Sequence, residues 1–251
     1  MDEDVARTCA AYLEMADRRA PGLVEGLYLQ GSIALADYCP GVSDIDFVAV
    51  TSRTPDPDII RAIHRDLRRC RPRRPYVDGL YTRWTDLSRD PTECPAGPSV
   101  HEWRVEPASR FERHLVTWHV LAQGGVAIRG AAVGEIGIFT DWPALAVATE
   151  CNLRDYWTPW RDRKARGLLG LTPWAVSWGV LGAARLRHTL AAGRVTSKTE
   201  AAAYALDTYC DRWHRLIQEA LRIRVGGPRL YRDPWRRRAD LLGFLSDALA
   251  R

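Results

Sequence analysis

Two apolar runs, Leu23 to Leu29 and Phe47 to Val50, enclose a polar stretch from Gly31 to Asp46, and that stretch decides what this chain can fold into. With Ile45, the second run is short and β-branched. It is followed by Thr51-Ser52-Arg53-Thr54-Pro55, the pattern of a buried strand that ends in a turn. Asp44 and Asp46 open that strand. Alternate strand residues share a face, so two carboxylates are presented side by side while Ile45 turns into a core. Like charges that close repel unless a cation lies between them. Hard divalent cations such as Mg²⁺ take one or two carboxylates together with substrate phosphates.

Gly31-Ser32 stands upstream, after a candidate strand from Gly26 to Gln30. Glycine lets the backbone approach a ligand closely, and serine adds a hydroxyl. A helix starting near Ser32 points free N–H groups at an anion. Asp-x-Asp alone is an ordinary solvated strand end, and Gly-Ser alone says less. Joined at this spacing, with Ser43 directly before Asp44, they predict a triphosphate-and-metal site.

The string Gly31-Ser32-x-x-Leu35-x-Asp37-Tyr38-x-Pro40-Gly41-x-Ser43-Asp44-Ile45-Asp46 resembles the signature of the DNA polymerase β-like nucleotidyltransferases. It is similar to the branch that holds the streptomycin/spectinomycin adenylyltransferases. Ala36 is a departure, since many relatives have glycine there. The resemblance implies two Mg²⁺ ions on Asp44 and Asp46, ATP as donor, and Gly31, Ser32 and Ser43 around the nucleotide. It also implies a small-molecule hydroxyl as acceptor, in the first place on an aminoglycoside or aminocyclitol antibiotic. Another metabolite or a protein side chain is the alternative acceptor, and an inactive nucleotide-binding module is the third reading.

Hydrophobic residues make up 46% and charged residues 27% of the 251, the balance of a soluble globular protein. No run approaches the ~20 apolar residues that span a bilayer. The start Met1-Asp2-Glu3-Asp4 lacks a signal peptide's basic and apolar regions, so a cytoplasmic protein with no membrane partner is expected. The six cysteines form no metal-binding cluster and are expected as reduced thiols, Cys39 in a packing role. Net charge is +5, much of it arginine at Arg65 to Arg74 and Arg229 to Arg238. No nucleic-acid recognition motif accompanies that charge, so solvated faces are expected rather than a nucleic-acid partner. A monomer is expected.

Asp4 to Ala20 has helical spacing and stops at Pro21-Gly22. A helix follows Pro55-Asp56-Pro57-Asp58 and stops near Pro72. Tyr76 to Thr82 alternates as a strand. Placed beside the strand of Asp44 and Asp46, it brings Asp78 into the same cleft. The resemblance implies a third carboxylate there, as base or additional metal ligand. Ser88 to Pro98 reads as a surface loop. In His101-Glu102-Trp103, composition makes Trp103 a packing residue, whereas the resemblance makes Glu102 and Trp103 substrate contacts. Phe111 to Gln123 reads as a helix and Val126 to Ile128 as a strand.

The pattern then changes. Gly130 to Phe139 is a connector, and from Trp142 no strand signal remains. Helices are expected over Trp142 to Arg166, Pro173 to Ala192, Lys198 to Arg224 and Pro234 to Leu249. The expected architecture is α+β, with a mixed-sheet nucleotidyltransferase domain over residues 1–138 and an all-α bundle over 139–251. Ser197 and Glu200 form a capping box. Lys198 sits in the first turn, where the helix dipole disfavours a cation, which points to an anionic ligand. The resemblance implies that Lys198 reaches the triphosphate, and adds Arg185 and Tyr231 on the nucleotide side. Streptomycin-modifying relatives carry acidic residues near the start of the second bundle helix. Here Pro173-Trp174-Ala175-Val176-Ser177-Trp178 offers none, leaving Glu150, Asp155 or Asp162 as substitutes.

Overall fold

Asp2 caps the first helix, α1 (Glu3–Arg19), with its carboxylate accepting the N–H groups of Asp4 at 2.9 Å and Val5 at 3.2 Å. Val5, Cys9, Tyr12 and Ala16 recur at helical spacing and are buried. The computed structural model describes residues 1–70 and 75–250 and divides into two compact units, Met1–Asp141 and Trp142–Arg251. Among the described residues no helix is long and apolar enough to cross a membrane. The helix stop expected near Pro72, and the end of the first arginine run, lie outside the described residues.

In the first unit α1 leads through β1 (Val24–Leu29), the single turn α2 (Gly31–Ala34) and β2 (Ile45–Thr51) to α3 (Pro57–Cys70). There follow β3 (Val77–Thr82), α4 (Trp84–Leu87), β4 (Gly97–His101), β5 (Arg104–Ser109), α5 (Leu115–Gly124) and β6 (Val126–Arg129). The sheet order is β5-β4-β3-β2-β1-β6. β2 and β3 pair in parallel and the other neighbours are antiparallel, so the sheet is mixed. α3 is the crossover between the parallel strands.

Strand alternation sorts the side chains into two cores. Ile45, Phe47, Ala49, Val77 and Tyr81 pack with residues of α1 and α3 on one face. Val48, Val50 and Leu80 pack with Trp118 and Leu121 of α5 on the other. Each such buried side chain contributes about 1.5–3 kcal/mol, which pins the register. Asp46 and Asp78 take the parity of Val48 and Leu80, so they stand on the α5 face.

The hairpin β4–β5 was hidden from sequence by Pro98 and Pro107. Pro98 falls where the β4–β5 register shifts, and Pro107 lies on an edge strand, the places where a ladder tolerates a missing donor.

The second unit contains α6 (Trp142–Asn152), α7 (Pro173–Ala192), α8 (Lys198–Thr208), α9 (His214–Val225) and α10 (Pro234–Leu249). α7 and α10 have proline in their first turn and begin and end where the sequence pattern places them. Two expected helices are interrupted. α6 passes into π-helical turns at Leu153–Trp157 and Trp160–Ala165. The run from Lys198 breaks at Tyr209-Cys210, where the Tyr209 backbone turns extended, before α9 begins. Its core joins Trp157, Trp160, Trp213, Tyr209 and Phe244 to small residues of α7. A side chain at Gly182 would overlap the Trp157 indole, so glycine there sets how closely that ring approaches α7.

Candidate functional site

Three backbone facts bring the polar residues together. Gln30 N–H donates to the Asp46 carbonyl at 2.9 Å, tying the end of β1 to the start of β2. Ile45 N–H donates to the Tyr76 carbonyl at 2.8 Å, and the parallel register sets Asp46 against Asp78. Gly31 has φ +60°, and a Cβ there would overlap Asp46 Oδ2. Only glycine meets both conditions. The Asp46 carboxylate therefore lies directly beside the Gly31 backbone.

Ser32 follows, and its Oγ is buried with no hydrogen-bond partner among the described residues. A buried hydroxyl without a partner is uncommon and is relieved by a ligand acceptor. Ser43 is used differently: its Oγ accepts the Cys39 N–H at 3.0 Å and closes the loop before Asp44. Asp44 Oδ1 accepts the Tyr76 N–H at 3.2 Å. α2 is one turn long, and beyond its Leu35 cap Ala36 is held at φ +51°, a left-handed conformation that glycine adopts more readily.

Asp78 is 4% exposed. Its Oδ1 accepts the Glu102 N–H at 2.9 Å, and its Oδ2 lies 3.0 Å from His101 Nδ1. Burial pushes its carboxyl up to about 6, against the Glu102 and His101 contacts that pull the other way, and the nearby Asp44 charge adds to the rise. Asp46 thus leans on Gly31 and Asp78 on β4. Among the described residues no group of three or more His, Cys, Asp or Glu side chains stands ready as a metal site. Asp78, expected as base or as a third metal ligand beside Asp44 and Asp46, has both of its oxygens facing the β4–β5 turn.

That turn also holds the two residues expected as substrate contacts. Glu102 and Trp103 occupy it at φ +48° and +66°. The Glu102 carboxylate is exposed, and its residue serves Asp78 through the backbone N–H. The Trp103 ring meets Tyr76 edge-on at 6.2 Å and packs against the α1–α3 core, on the sheet face opposite Asp78. Sequence reading missed His101 as a partner of Asp78, because only the strand register carries it there. It also missed Glu112, at φ +60°, whose carboxylate accepts from Gln30 Nε2 at 3.2 Å and Thr117 Oγ1 at 2.6 Å.

In the second unit the capping box forms: Glu200 N–H donates to Ser197 Oγ at 3.1 Å and Ser197 N–H to Glu200 Oε2 at 2.8 Å. Lys198 opens α8 with its Nζ 5.4 Å from the centroid of the Trp178 ring. The Arg185 carbonyl accepts the Thr196 hydroxyl at 3.3 Å, bracing the turn between α7 and α8. Tyr231, expected on the nucleotide side, is packed in the second unit. It is 4% exposed, its hydroxyl donates to Asp240 at 2.7 Å, and Arg215 covers its ring.

Residues 168–249 match the family described as aminoglycoside adenylyltransferase, C-terminal domain. The structure superposes on the crystal structure of the spectinomycin adenyltransferase AAD(9) from Enterococcus faecialis with ATP and spectinomycin. The TM-score is 0.72, over 98% of this chain and 99% of that one, at 13% sequence identity. The chain shares the fold of that solved structure. No curated protein sequence matches it.

Proposed function

We propose that this protein transfers AMP from ATP to a hydroxyl group of a small molecule, in the first place an aminocyclitol or aminoglycoside. The observation that carries the reading is the pairing of Asp46 with Asp78 across parallel strands, with Gly31 against Asp46 and, next along the chain, a buried Ser32 hydroxyl that has no hydrogen-bond partner among the described residues. Asp44 and Asp46 are the residues that would hold Mg²⁺, two carboxylates being what that ion takes alongside phosphates. When bound, the ion neutralises phosphate charge. The Ser32 hydroxyl would donate to a phosphate oxygen. Asp78 belongs to the proton-accepting side of the reaction. Most of the rate then comes from positioning and charge.

A second acceptor class is favoured by one observation. Glu150, Asp155 and Asp162 are each ion-paired, to Arg187 at 3.2 Å, Arg154 at 2.7 Å and Arg161 at 2.8 Å. Trp174 and Trp178, stacked at 5.9 Å and part-exposed, stand where a polycation would need carboxylates. A less cationic acceptor with a flat ring suits that surface better than streptomycin.

The test is incubation with ATP, Mg²⁺ and streptomycin, spectinomycin or neutral aromatic glycosides, with mass measurement of the products. A gain of one AMP by an acceptor is expected, and Asp46→Asn should reduce it about 10³-fold without unfolding the protein. Full activity in that variant would remove the reading.

A further inference from the structure

The geometry points to His101 as the catalytic residue that takes the proton from the acceptor hydroxyl, with Asp78 beneath it as the positioning residue. This rests on the transfer reading above and deepens it.

Asp78 is too enclosed to meet an acceptor itself. It is 4% exposed, and both of its oxygens already face donors on the β4–β5 side. The His101 side chain, by contrast, is 59% exposed. Its Nδ1 is directed at Asp78, and among the described residues its Nε2 has no hydrogen-bond partner. The Phe111 ring, 4.8 Å away, limits how the imidazole can tilt. A buried carboxylate that accepts from Nδ1–H selects the tautomer whose Nε2 carries a lone pair. The basic atom is thereby moved outward from a position that solvent barely reaches to one that an acceptor can touch.

The local backbone supports the arrangement. His101 is the last residue of β4 and, by the strand register, the neighbour of Asp78 on the α5 face. The turn after it puts two non-glycine residues in the left-handed region, a costly conformation, and in doing so aims the Glu102 N–H at Asp78.

The step balances without a further reactant. The acceptor O–H bond breaks and its proton passes to His101 Nε2. The oxygen forms a bond to the α-phosphorus of ATP, the bond from that phosphorus to the bridging oxygen of the β-phosphate breaks, and pyrophosphate leaves with the electron pair.

Nitrogen-15 NMR of the imidazole rings in the full chain tests the dyad without turnover. A signal absent from His101→Asn identifies the residue. The expected result is a protonated Nδ1 and a bare Nε2 at pH 8. An Nε2–H tautomer, or a ring protonated on both nitrogens, overturns the proposal. Kinetics supply the second arm, with ATP, Mg²⁺ and the acceptor that the mass assay identifies. In His101→Asn the amide nitrogen still donates to Asp78 but the outward base is gone. The expectation is a loss of about 10²–10³-fold in kcat at nearly unchanged KM. Wild-type kcat in His101→Asn, with loss only in His101→Ala, makes His101 a mere brace and overturns it. If no acceptor gains AMP from the wild type, the transfer reading fails by itself, while the tautomer still decides whether the dyad exists.

Discussion

The two units carry backbone strain very differently. Among the described residues, the non-glycine positions at positive φ are Ala36, Glu102, Trp103 and Glu112, all in the sheet-bearing unit. In the helical unit that conformation is left to Gly193, Gly226 and Gly227, at helix ends or in turns. The strained residues lie in or next to segments that hold polar groups of the candidate site: Ala36 after the Gly31-Ser32 turn, Glu102 on Asp78 through its N–H with Trp103 following it in the same turn, and Glu112 on Gln30. Strain persists only where the surroundings over-determine it. The sheet-bearing unit is shaped by chemistry at its polar edge, and the helical unit by packing of tryptophans against small residues.

That contrast can be broken from either side. The largest expected effect is on the helical unit: Phe244→Ala empties a fully buried position and should cost about 4 kcal/mol. Calorimetry should show its melting transition fall while that of the sheet-bearing unit stays in place. Gly31→Ala attacks the other side. Positive φ and the overlap with Asp46 together should cost about 3 kcal/mol and abolish ATP-dependent transfer, read by urea unfolding and the mass assay.

A pH series sharpens the comparison further. Burial pushes His64 down to about 3, so as pH falls below 6.5 the unfolded chain binds a proton that the folded one refuses, and stability falls. Asp78 works in the opposite direction. With its folded value raised from 3.8 to about 6, its contribution is full below 3.8 and is lost as pH rises through 6. In chelator-treated protein, Asp78→Asn should steepen the loss of stability between pH 7 and pH 4 by about 2 kcal/mol. Parallel curves for variant and wild type would mean that Asp78 is not perturbed. The smallest effect is Ala36→Gly, which relieves one left-handed residue and should raise the urea midpoint by about 0.5 kcal/mol equivalent.

Much of this was legible beforehand, and the illegible parts have physical reasons. Pro173 and Pro234 mark helix starts that a reader of sequence can place, and the alternation around Asp46 and Asp78 gives their shared face. The Ser197–Glu200 box is local chemistry and survives unchanged in the structure. β4 and β5 stayed hidden because proline and glycine erase the strand signal just where edges and bulges tolerate them. The break after Thr208 carries neither residue, so nothing in the run from Lys198 announced it. His101 is the instructive miss. A single histidine has no pattern, and its meaning comes entirely from lying opposite Asp78. Trp103 shows the converse, since a motif suggested its role but the turn directs the ring to the other face.

The parallel pairing of β2 with β3 has a consequence for how the protein comes into being. No hairpin in the sheet contains both Asp46 and Asp78, because the whole of α3 separates them along the chain. Locally paired fragments made early in folding would hold one carboxylate each. On the proposed reading, competence to handle a nucleotide would then appear only once the long-range crossover has closed, and a nascent or half-folded chain would not consume the donor.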